Sequence, residues 1–348
     1  MSWSDALQFL FWAAVIVVGG TWIVYAYWRV KGEWRRKVEG DAPLRSSQAA
    51  IWREPGSLSA ADLEAGPCGS KGSPVPPFHF VEEHDTGSQP CVSVRDANDR
   101  EWRVKWGPEV HTEVLGTRLA WALGYFAEQS YFVASGRIEG AHDLRRADAC
   151  INDQGDFRDA RFELSERGVT RHFDAHGWAW DDNPFVGTRE LNGLKILMML
   201  VSNWDNKDVR DVARGSNTAI FEHRVGKQRE ARYLIIDWGA ALGAWGNNVL
   251  QRGRWDPEAF AGQNAQFITG VDDDLVQFGY QGQRTSDLTA NITRADLQWF
   301  DRVAGRLTDD HLRAILRASG ANREETDLFT ASLRARLDQI HRAATGIS

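Results

Sequence analysis

The sequence predicts an α+β fold with two lobes, in which a small β-rich lobe precedes a larger helical lobe, after one N-terminal transmembrane helix. Three observations support this prediction. An uncharged apolar stretch covers residues 6–28. Two short runs of alternating residues between positions 91 and 106 are typical of paired strands. An apolar stripe with helical spacing follows in residues 188–203, and amphipathic segments continue to the C-terminus.

The apolar stretch 6–28 has the length of a membrane span. As a helix it would cover roughly 34 Å, at about 1.5 Å per residue. Asp5 precedes it, whereas basic residues follow it closely: Arg29, Lys31, Arg35, Arg36 and Lys37. Because basic flanks stay on the cytoplasmic side, we expect a single-pass membrane protein with its N-terminus outside and its C-terminal domain in the cytoplasm.

The composition argues against nucleic-acid binding, a disulfide framework and a structural zinc site, and it also indicates where a linker lies. The chain has 348 residues and a net charge of −7, which gives no overall attraction to nucleic acid. Its 3 cysteines lack Cys-x-x-Cys spacing and predict neither a disulfide framework nor a structural zinc site. Pro, Gly and Ser recur in residues 38–77. Residues 29–77 are therefore expected to be a basic juxtamembrane segment and a flexible linker.

Residues 78–138 are expected to form the β-rich lobe. The alternating runs 91–95 and 101–106 are joined by turn-forming residues, and this pattern predicts a hairpin. The loop before the hairpin contains Gly87 and Ser88, and its backbone N–H groups could face a phosphate.

A helix is expected directly after the hairpin. A Gly-Pro pair ends the second strand, and proline suits the first turn of a helix. Glu109 and Glu113 then share one helical face. The following residues, 139–187, are polar and aromatic and are expected to be an insert in the second lobe, which covers 139–348.

Two acidic residues follow apolar elements of the second lobe. The apolar helix predicted in 188–203 places Asp205 on the loop that leaves it. Further on, the apolar strand 233–236 delivers Asp237 at its end, and Gly239 lets the chain turn sharply. Hard divalent cations prefer such oxygen ligands, so Asp237 is predicted to bind a metal.

The order Lys105, Glu113, Asp205 and Asp237-x-Gly resembles that of protein-kinase-like phosphotransferases. The Gly-Ser-Gln-Pro loop at 87–90, the hairpin and the following helix are similar to the N-lobe of HipA-type Ser/Thr kinases. This resemblance covers residues of about 80–245 and implies a bilobal protein-kinase-like fold with ATP and Mg²⁺ as cofactors.

The resemblance also implies roles for the first-lobe residues. Lys105 would hold the α- and β-phosphates and pair with Glu113, with Glu109 as the alternative partner. Gly87 and Ser88 would contribute to the phosphate loop. Cys91 stands where the family has a lysine after its Gln-Pro, which is a departure from the pattern.

The segment 203–208, Asn-Trp-Asp-Asn-Lys-Asp, is similar to the Asn-x-Asp-Arg-His catalytic segment of HipA, phosphatidylinositol and secretory-pathway kinases. The similarity implies that Asp205 orients the acceptor hydroxyl and accepts its proton. Lys207 would take the charge-neutralising role of the basic residue in that segment.

The second metal ligand is less directly indicated. This superfamily usually places a metal-binding Asn five residues after the base, and that position is Arg210 here. Asn217 precedes a short apolar strand of the kind that follows the metal Asn, and is the favoured candidate. Asp208 and Asp211 are the alternatives.

These features predict a membrane-tethered atypical kinase that transfers the γ-phosphoryl of ATP to an unknown hydroxyl acceptor on a protein, lipid or small molecule. Two alternatives stay open. Cys91 and Arg210 favour an inactive pseudokinase or nucleotide-binding scaffold at the membrane, and the chain could also be an unrelated membrane-anchored binding domain. The expected partners are a nucleotide, an acceptor and the membrane, and not nucleic acid.

Overall fold

The computed structural model describes residues 49–69, 71–165, 170–171, 177–225 and 228–346. The expected mixture of strands and helices is confirmed. The predicted transmembrane segment 6–28 lies outside the described residues. Within them, none of the helices combines the length and the apolar character that a membrane span needs.

The elements in chain order are as follows. The strands are β1 (Ala49–Ala50), β2 (Phe78–Glu83), β3 (Cys91–Arg95), β4 (Glu101–Lys105), β5 (Ser130–Glu139), β6 (Asp156–Leu164), β7 (Thr170–Arg171), β8 (Thr218–Val225), β9 (Gln228–Ile235), β10 (Ile268–Asp272) and β11 (Leu275–Phe278). The helices are α1 (Ala60–Ala65), α2 (Val110–Ala122), α3 (Arg189–Leu200), α4 (Pro257–Gly262), α5 (Thr285–Thr289), α6 (Arg294–Ala304), α7 (Asp309–Ala318) and α8 (Arg323–Thr345).

Strands β2 to β6 close into a barrel in the order β2-β3-β4-β6-β5, with β2 and β5 paired in parallel. The predicted hairpin is present as β3 and β4. Alternation separates the two faces, because Val92, Val104 and Phe162 are fully buried in the barrel core. β6 belongs to this barrel. The expected lobe boundary at residue 138, which assigned β6 to an insert, is therefore wrong: the barrel extends to Leu164.

The helix expected after the hairpin is α2, which begins at Val110. It packs against β5 and β6 on one side and meets the Asp-x-Gly turn on the other. A Cβ added to Gly116 would lie 2.3 Å from the ring of Trp238. Glycine at this position therefore allows α2 to approach the turn that carries Asp237.

The helical part confirms the expected elements closely. Thr188 caps α3, which is buried along most of its length. Thr293 and Thr308 cap α6 and α7 with reciprocal capping boxes. Beside these helices, β8 and β9 form a hairpin in which Thr218 faces Ile235. The hairpin brings the start of β8 and the end of β9 to the same edge.

The chain between residues 49 and 66 is folded, which corrects the expected flexible linker. β1 pairs in parallel with β9, and α1 packs against α7. Ile51 and Leu63 are 2% and 0% exposed. The indole Nε1 of Trp52 donates to the carbonyl of Leu123 at 2.7 Å, just beyond α2. Arg118 of α2 donates to the carbonyl of Leu63 at 2.7 Å. This segment therefore joins α2 to the helical part. Its many Pro, Gly and Ser residues are typical of a linker, although a few of its apolar residues are buried.

Candidate active site

A cavity of about 190 Å³ lies where the barrel, α2 and the end of β9 meet. We call it the cleft cavity. Its lining includes Gly87, Ser88, Lys105, Glu113, Arg161 and Asp237. The predicted phosphate loop, strand lysine, helix glutamate and metal aspartate thus share one cavity. A wider cavity of about 1110 Å³, lined by Arg137, Asp148 and Asp156 among others, contains none of the predicted site residues.

Positive charge reaches the cleft cavity from two neighbouring strands. Lys105 on β4 lies directly opposite Arg161 on β6, and Cys91 on β3 completes this cross-strand row. Arg103, two residues before Lys105, points to the same face and also lines the cavity. Arg103 and Arg161 were not predicted as site residues, although the polar-apolar alternation in Arg161-Phe162-Glu163 is a strand signal.

The expected ion pair between Lys105 and Glu113 is not formed. Among the described residues, the ion-pair partner of Glu113 is Arg161, with Nη1 at 2.9 Å from Oε2. The alternative carboxylate, Glu109, pairs with Arg254 instead. Arg161 reaches Glu113 because the row of strands places its side chain beside that of Lys105, and a sequence alone gives no such register.

Glu113 is buried and also contacts the Asp-x-Gly turn. Its Oε2 accepts the backbone N–H of Trp238 at 3.2 Å. Burial raises the pKa of the Glu113 carboxyl to about 8, and the guanidinium of Arg161 acts against this shift. Burial also opposes the charged form of Arg161, but Glu113 and Glu163 outweigh it and raise the pKa of Arg161. The contacts of Glu113 act against burial, because Arg161 Nη1 and the Trp238 N–H meet the same carboxylate oxygen. Two donors on one oxygen favour the ionised acceptor.

The loop before β3 is held from outside the cavity. Gly87 adopts a φ of 99°, which favours glycine. The side chain of Arg146 donates to the carbonyls of Thr86 and Gly87, at 2.9 and 2.6 Å. Cys91 at the end of this loop is buried, and burial raises the pKa of its thiol although Arg103 and Lys105 oppose the shift. Cys91 therefore brings no positive charge to the cleft cavity.

Asp205 and Lys207, the predicted catalytic pair, contact each other. The Lys207 ammonium lies 3.1 Å from Asp205 Oδ2, and Gln283 Nε2 donates to Asp205 Oδ1 at 2.7 Å. Burial raises the pKa of Asp205, Lys207 opposes this shift, and the charge of Asp237 adds to it. The electrostatic effect of Asp237 means that the two predicted acidic site residues are close enough to interact.

Asn217 lies between the two acidic residues. Its backbone carbonyl accepts the N–H of Ile236 at 2.9 Å, one residue before Asp237. Its side-chain Nδ2 donates to the backbone carbonyl of Asp205. In addition, Asn203 Nδ2 donates to the carbonyl of Asp237 at 3.1 Å. The catalytic segment and the Asp-x-Gly turn are therefore tied together by hydrogen bonds from asparagine side chains.

The two alternatives to Asn217 are engaged elsewhere. Asp208 is fully buried and pairs with Arg210, the residue at the usual metal-Asn position. Asp211 pairs with Arg284. These ion pairs account for the charged residues of this segment without a metal ion. Asn217 is therefore the remaining candidate for the second metal ligand beside Asp237.

The described residues contain no group of three or more His, Cys, Asp or Glu side chains placed to hold a metal ion. Asp237 Oδ1 accepts the N–H of Gly239 at 2.9 Å, which fixes its carboxylate at the turn. A cation here would have Asp237 and the amide oxygen of Asn217 as protein ligands. Few protein ligands suit Mg²⁺, which usually keeps several waters and shares substrate phosphates.

A second cavity of about 320 Å³ adjoins the first through Arg103, which lines both. Its walls include Phe126, Leu164, Phe221 and Leu234. Apolar and charged side chains both line this cavity. A concave site that combines apolar walls with a few placed polar groups can take a small ligand. These residues could not be grouped from the sequence, because they come from the chain after α2, the barrel and the β8–β9 hairpin.

No family model matches this sequence, and none of the curated proteins does. Among solved structures, the chain is similar to the Helicobacter pylori proinflammatory kinase CtkA, with 12% identity and a TM-score of 0.46 over 79% of this chain and 100% of that one. It is also similar to the Golgi casein kinase with Mn/ADP bound, with 11% identity and a TM-score of 0.37 over 78% of this chain and 74% of that one. Because these TM-scores are low, the roles of the site residues rest on the contacts of this chain.

Proposed function

We propose that this chain is an ATP-dependent phosphotransferase whose barrel and helical part are the two lobes of a protein-kinase-like fold. One observation carries the proposal. Cationic side chains and Asp237 line one cavity. Asp205, which pairs with a basic neighbour, is joined through Asn217 to the residue before Asp237.

The cleft cavity supports phosphate binding. Lys105 and Arg103 bring positive charge from β4, and Gly87 and Ser88 bring a loop whose backbone can approach phosphate oxygens. The adjoining cavity, with Phe221 on its wall, would take the base of the nucleotide. A nucleotide that occupies both cavities would pass Arg103, which lines each of them.

The acidic residues would have separate roles in the reaction, one in metal binding and one as the base. Asp237 and Asn217 supply oxygen ligands, and Mg²⁺ bound there would neutralise charge that develops on the transferred phosphoryl group. Asp205 would orient the acceptor hydroxyl and take its proton, while Lys207 holds the carboxylate in place. The raised pKa of Asp205 makes it a stronger base than an exposed aspartate.

The proposal also includes the location of the protein in the cell. The apolar residues 6–28 would anchor the chain in a membrane, with the N-terminus outside and the phosphotransferase domain in the cytoplasm. The acceptor would be a hydroxyl on a protein, lipid or small molecule that reaches this domain.

A second candidate function is nucleotide binding without transfer. Arg210 favours it, because this residue replaces the usual metal Asn and is held by Asp208, Asp181 and Asp287. A weaker metal site would then support binding but not turnover.

Two substitutions separate these functions. Asp237→Asn removes charge that offsets the cation, and it is expected to weaken Mg²⁺-dependent ATP binding in calorimetry. Asp205→Ala is expected to leave binding largely intact and to lower ATP consumption, because a base acts mainly in the transition state. Asp272→Asn, an exposed change on β10, is the control. Wild type that binds ATP without any turnover supports the second candidate, and wild type that binds no nucleotide contradicts both.

A further inference from the structure

The partner of Glu113 suggests how α2 is held. We propose that Arg161, and not Lys105, is the positioning residue that fixes α2 against the Asp-x-Gly turn, so that Lys105 is left to bind phosphate. The inference rests on the proposed phosphotransferase function for the role of Lys105, but its structural half concerns the protein without nucleotide.

Arg161 is built into the site as a bridge. Its Nη1 lies 2.9 Å from Glu113 on α2, and its Nη2 lies 2.7 Å from Glu163 on its own strand. The residue is only 3% exposed. A guanidinium can serve two carboxylates at once with fixed geometry, whereas an ammonium is a point charge on a flexible stem. Arg161 therefore ties α2 to the barrel through Glu113, and its second contact, to Glu163 on the same strand, fixes the guanidinium in place.

The bridge continues to the metal turn. The oxygen of Glu113 that Arg161 contacts also accepts the N–H of Trp238. The Trp238 ring packs on Gly116 of the same helix. Arg161 thus acts on the backbone next to Asp237 through Glu113, without touching the proposed metal site itself.

Lys105 has a different environment. It is half-buried and lines the cleft cavity, and its ammonium makes no ion pair or hydrogen bond with any residue in the described part of the chain. Its charge still acts on Glu113. A cation without a fixed carboxylate partner can contact phosphate without first breaking an ion pair. In this arrangement the position of α2 does not depend on Lys105, and the helix is in place before nucleotide binds.

Two measurements distinguish this proposal from a purely structural role for Arg161. If the ion pair is only structural, its loss should lower the global stability of the domain, without faster hydrogen exchange confined to particular segments. A positioning role predicts local loosening at α2 and at the turn 236–239, together with a lower kcat at a nearly unchanged KM for ATP.

The first test is amide hydrogen exchange on the whole chain without nucleotide. Arg161→Lys, which keeps the charge but loses the double contact, is expected to speed exchange of residues 110–116 and 236–239 by about tenfold. Lys105→Met is expected to leave both segments within about twofold of wild type. Arg158→Gln, an exposed change on the same strand, is the control. Unchanged exchange in Arg161→Lys, or equal loosening in Lys105→Met, would overturn the proposal.

The second test separates the two roles in binding. Calorimetry is expected to show that Lys105→Met weakens Mg·ATP binding by about tenfold or more, while Arg161→Lys changes it by about twofold at most. If Arg161→Lys weakens ATP binding as strongly as Lys105→Met does, Arg161 is itself a phosphate ligand and the proposed division is wrong. If wild type binds no ATP, the proposed function fails, whereas the exchange pattern still decides whether Arg161 positions α2.

Discussion

Leu63→Ala tests whether the chain before the barrel is part of the fold. Leu63 is fully buried on α1, where the helix packs against α7. Large-to-small changes at buried leucines cost about 2–5 kcal/mol. Leu63 also lines an existing cavity of about 330 Å³, so there is little adjacent material to fill the space that alanine leaves. We therefore expect a loss of about 3–5 kcal/mol in the free energy of unfolding.

The assay is thermal and denaturant unfolding of a chain that starts at residue 49. The expected loss lowers Tm by roughly 5–8 °C for a domain of this size. Glu64→Ala is the matched control, because this neighbour is exposed and its contact with Arg317 is a surface pair at 3.8 Å. If Leu63→Ala unfolds within about 0.5 kcal/mol of wild type, as the control should, the segment is not part of the core.

Three further outcomes follow. A chain that starts at residue 78 lacks β1 and α1 and is expected to aggregate or melt early, whereas one that starts at 49 stays monomeric. Size-exclusion chromatography and melting curves compare the two chains. Equal stability of the two chains would contradict the fold. Lys207→Met removes the charge that lowers the pKa of Asp205, so the acidic limb of the pH–kcat profile should move to higher pH, because the base must be deprotonated and its activity is lost as pH falls through its pKa. A limb that stays in place or moves down would exclude this coupling. Gly116→Ala puts a Cβ against the Trp238 ring and should cost about 1–3 kcal/mol, while Gly56→Ala, with open space around it, should be neutral in the same melts.

Local patterns predicted much of the fold. The hairpin of β3 and β4 was predicted within one residue of its observed ends, and α3 lies inside the apolar helix predicted in 188–203. Each has a signal in adjacent residues: alternation and a turn in the hairpin, and an apolar stripe with helical spacing in α3. Asp237 was predicted on the same basis, because an apolar strand ends immediately before it.

The contacts of Glu113 could not be predicted in this way. Its partner Arg161 belongs to a strand that joins the barrel beside β4, and only the register of β4 with β6 places the two cations in one row. The order of residues along the chain suggested Lys105 as the partner of Glu113, because the strand that carries Lys105 directly precedes the helix that carries Glu113. Choosing between them requires the cross-strand geometry.

The folded segment before the barrel was missed for a different reason. Its many Pro, Gly and Ser residues are typical of linkers. The residues that anchor it are the adjacent pair Ile51 and Trp52 and the isolated Leu63, and they show no periodicity. Their partners lie in α2, α6 and α7, so the burial appears only when the whole domain is assembled.

The most direct test of the central claim is a crystal structure of residues 49–348 with Mg²⁺ and a non-hydrolysable ATP analogue. We expect phosphates in the cleft cavity within hydrogen-bond distance of Lys105, a metal on Asp237, and the Arg161–Glu113 pair unchanged. A nucleotide bound elsewhere, or a cleft cavity that stays empty at saturating analogue, would contradict the assignment of this cleft as a phosphotransferase site.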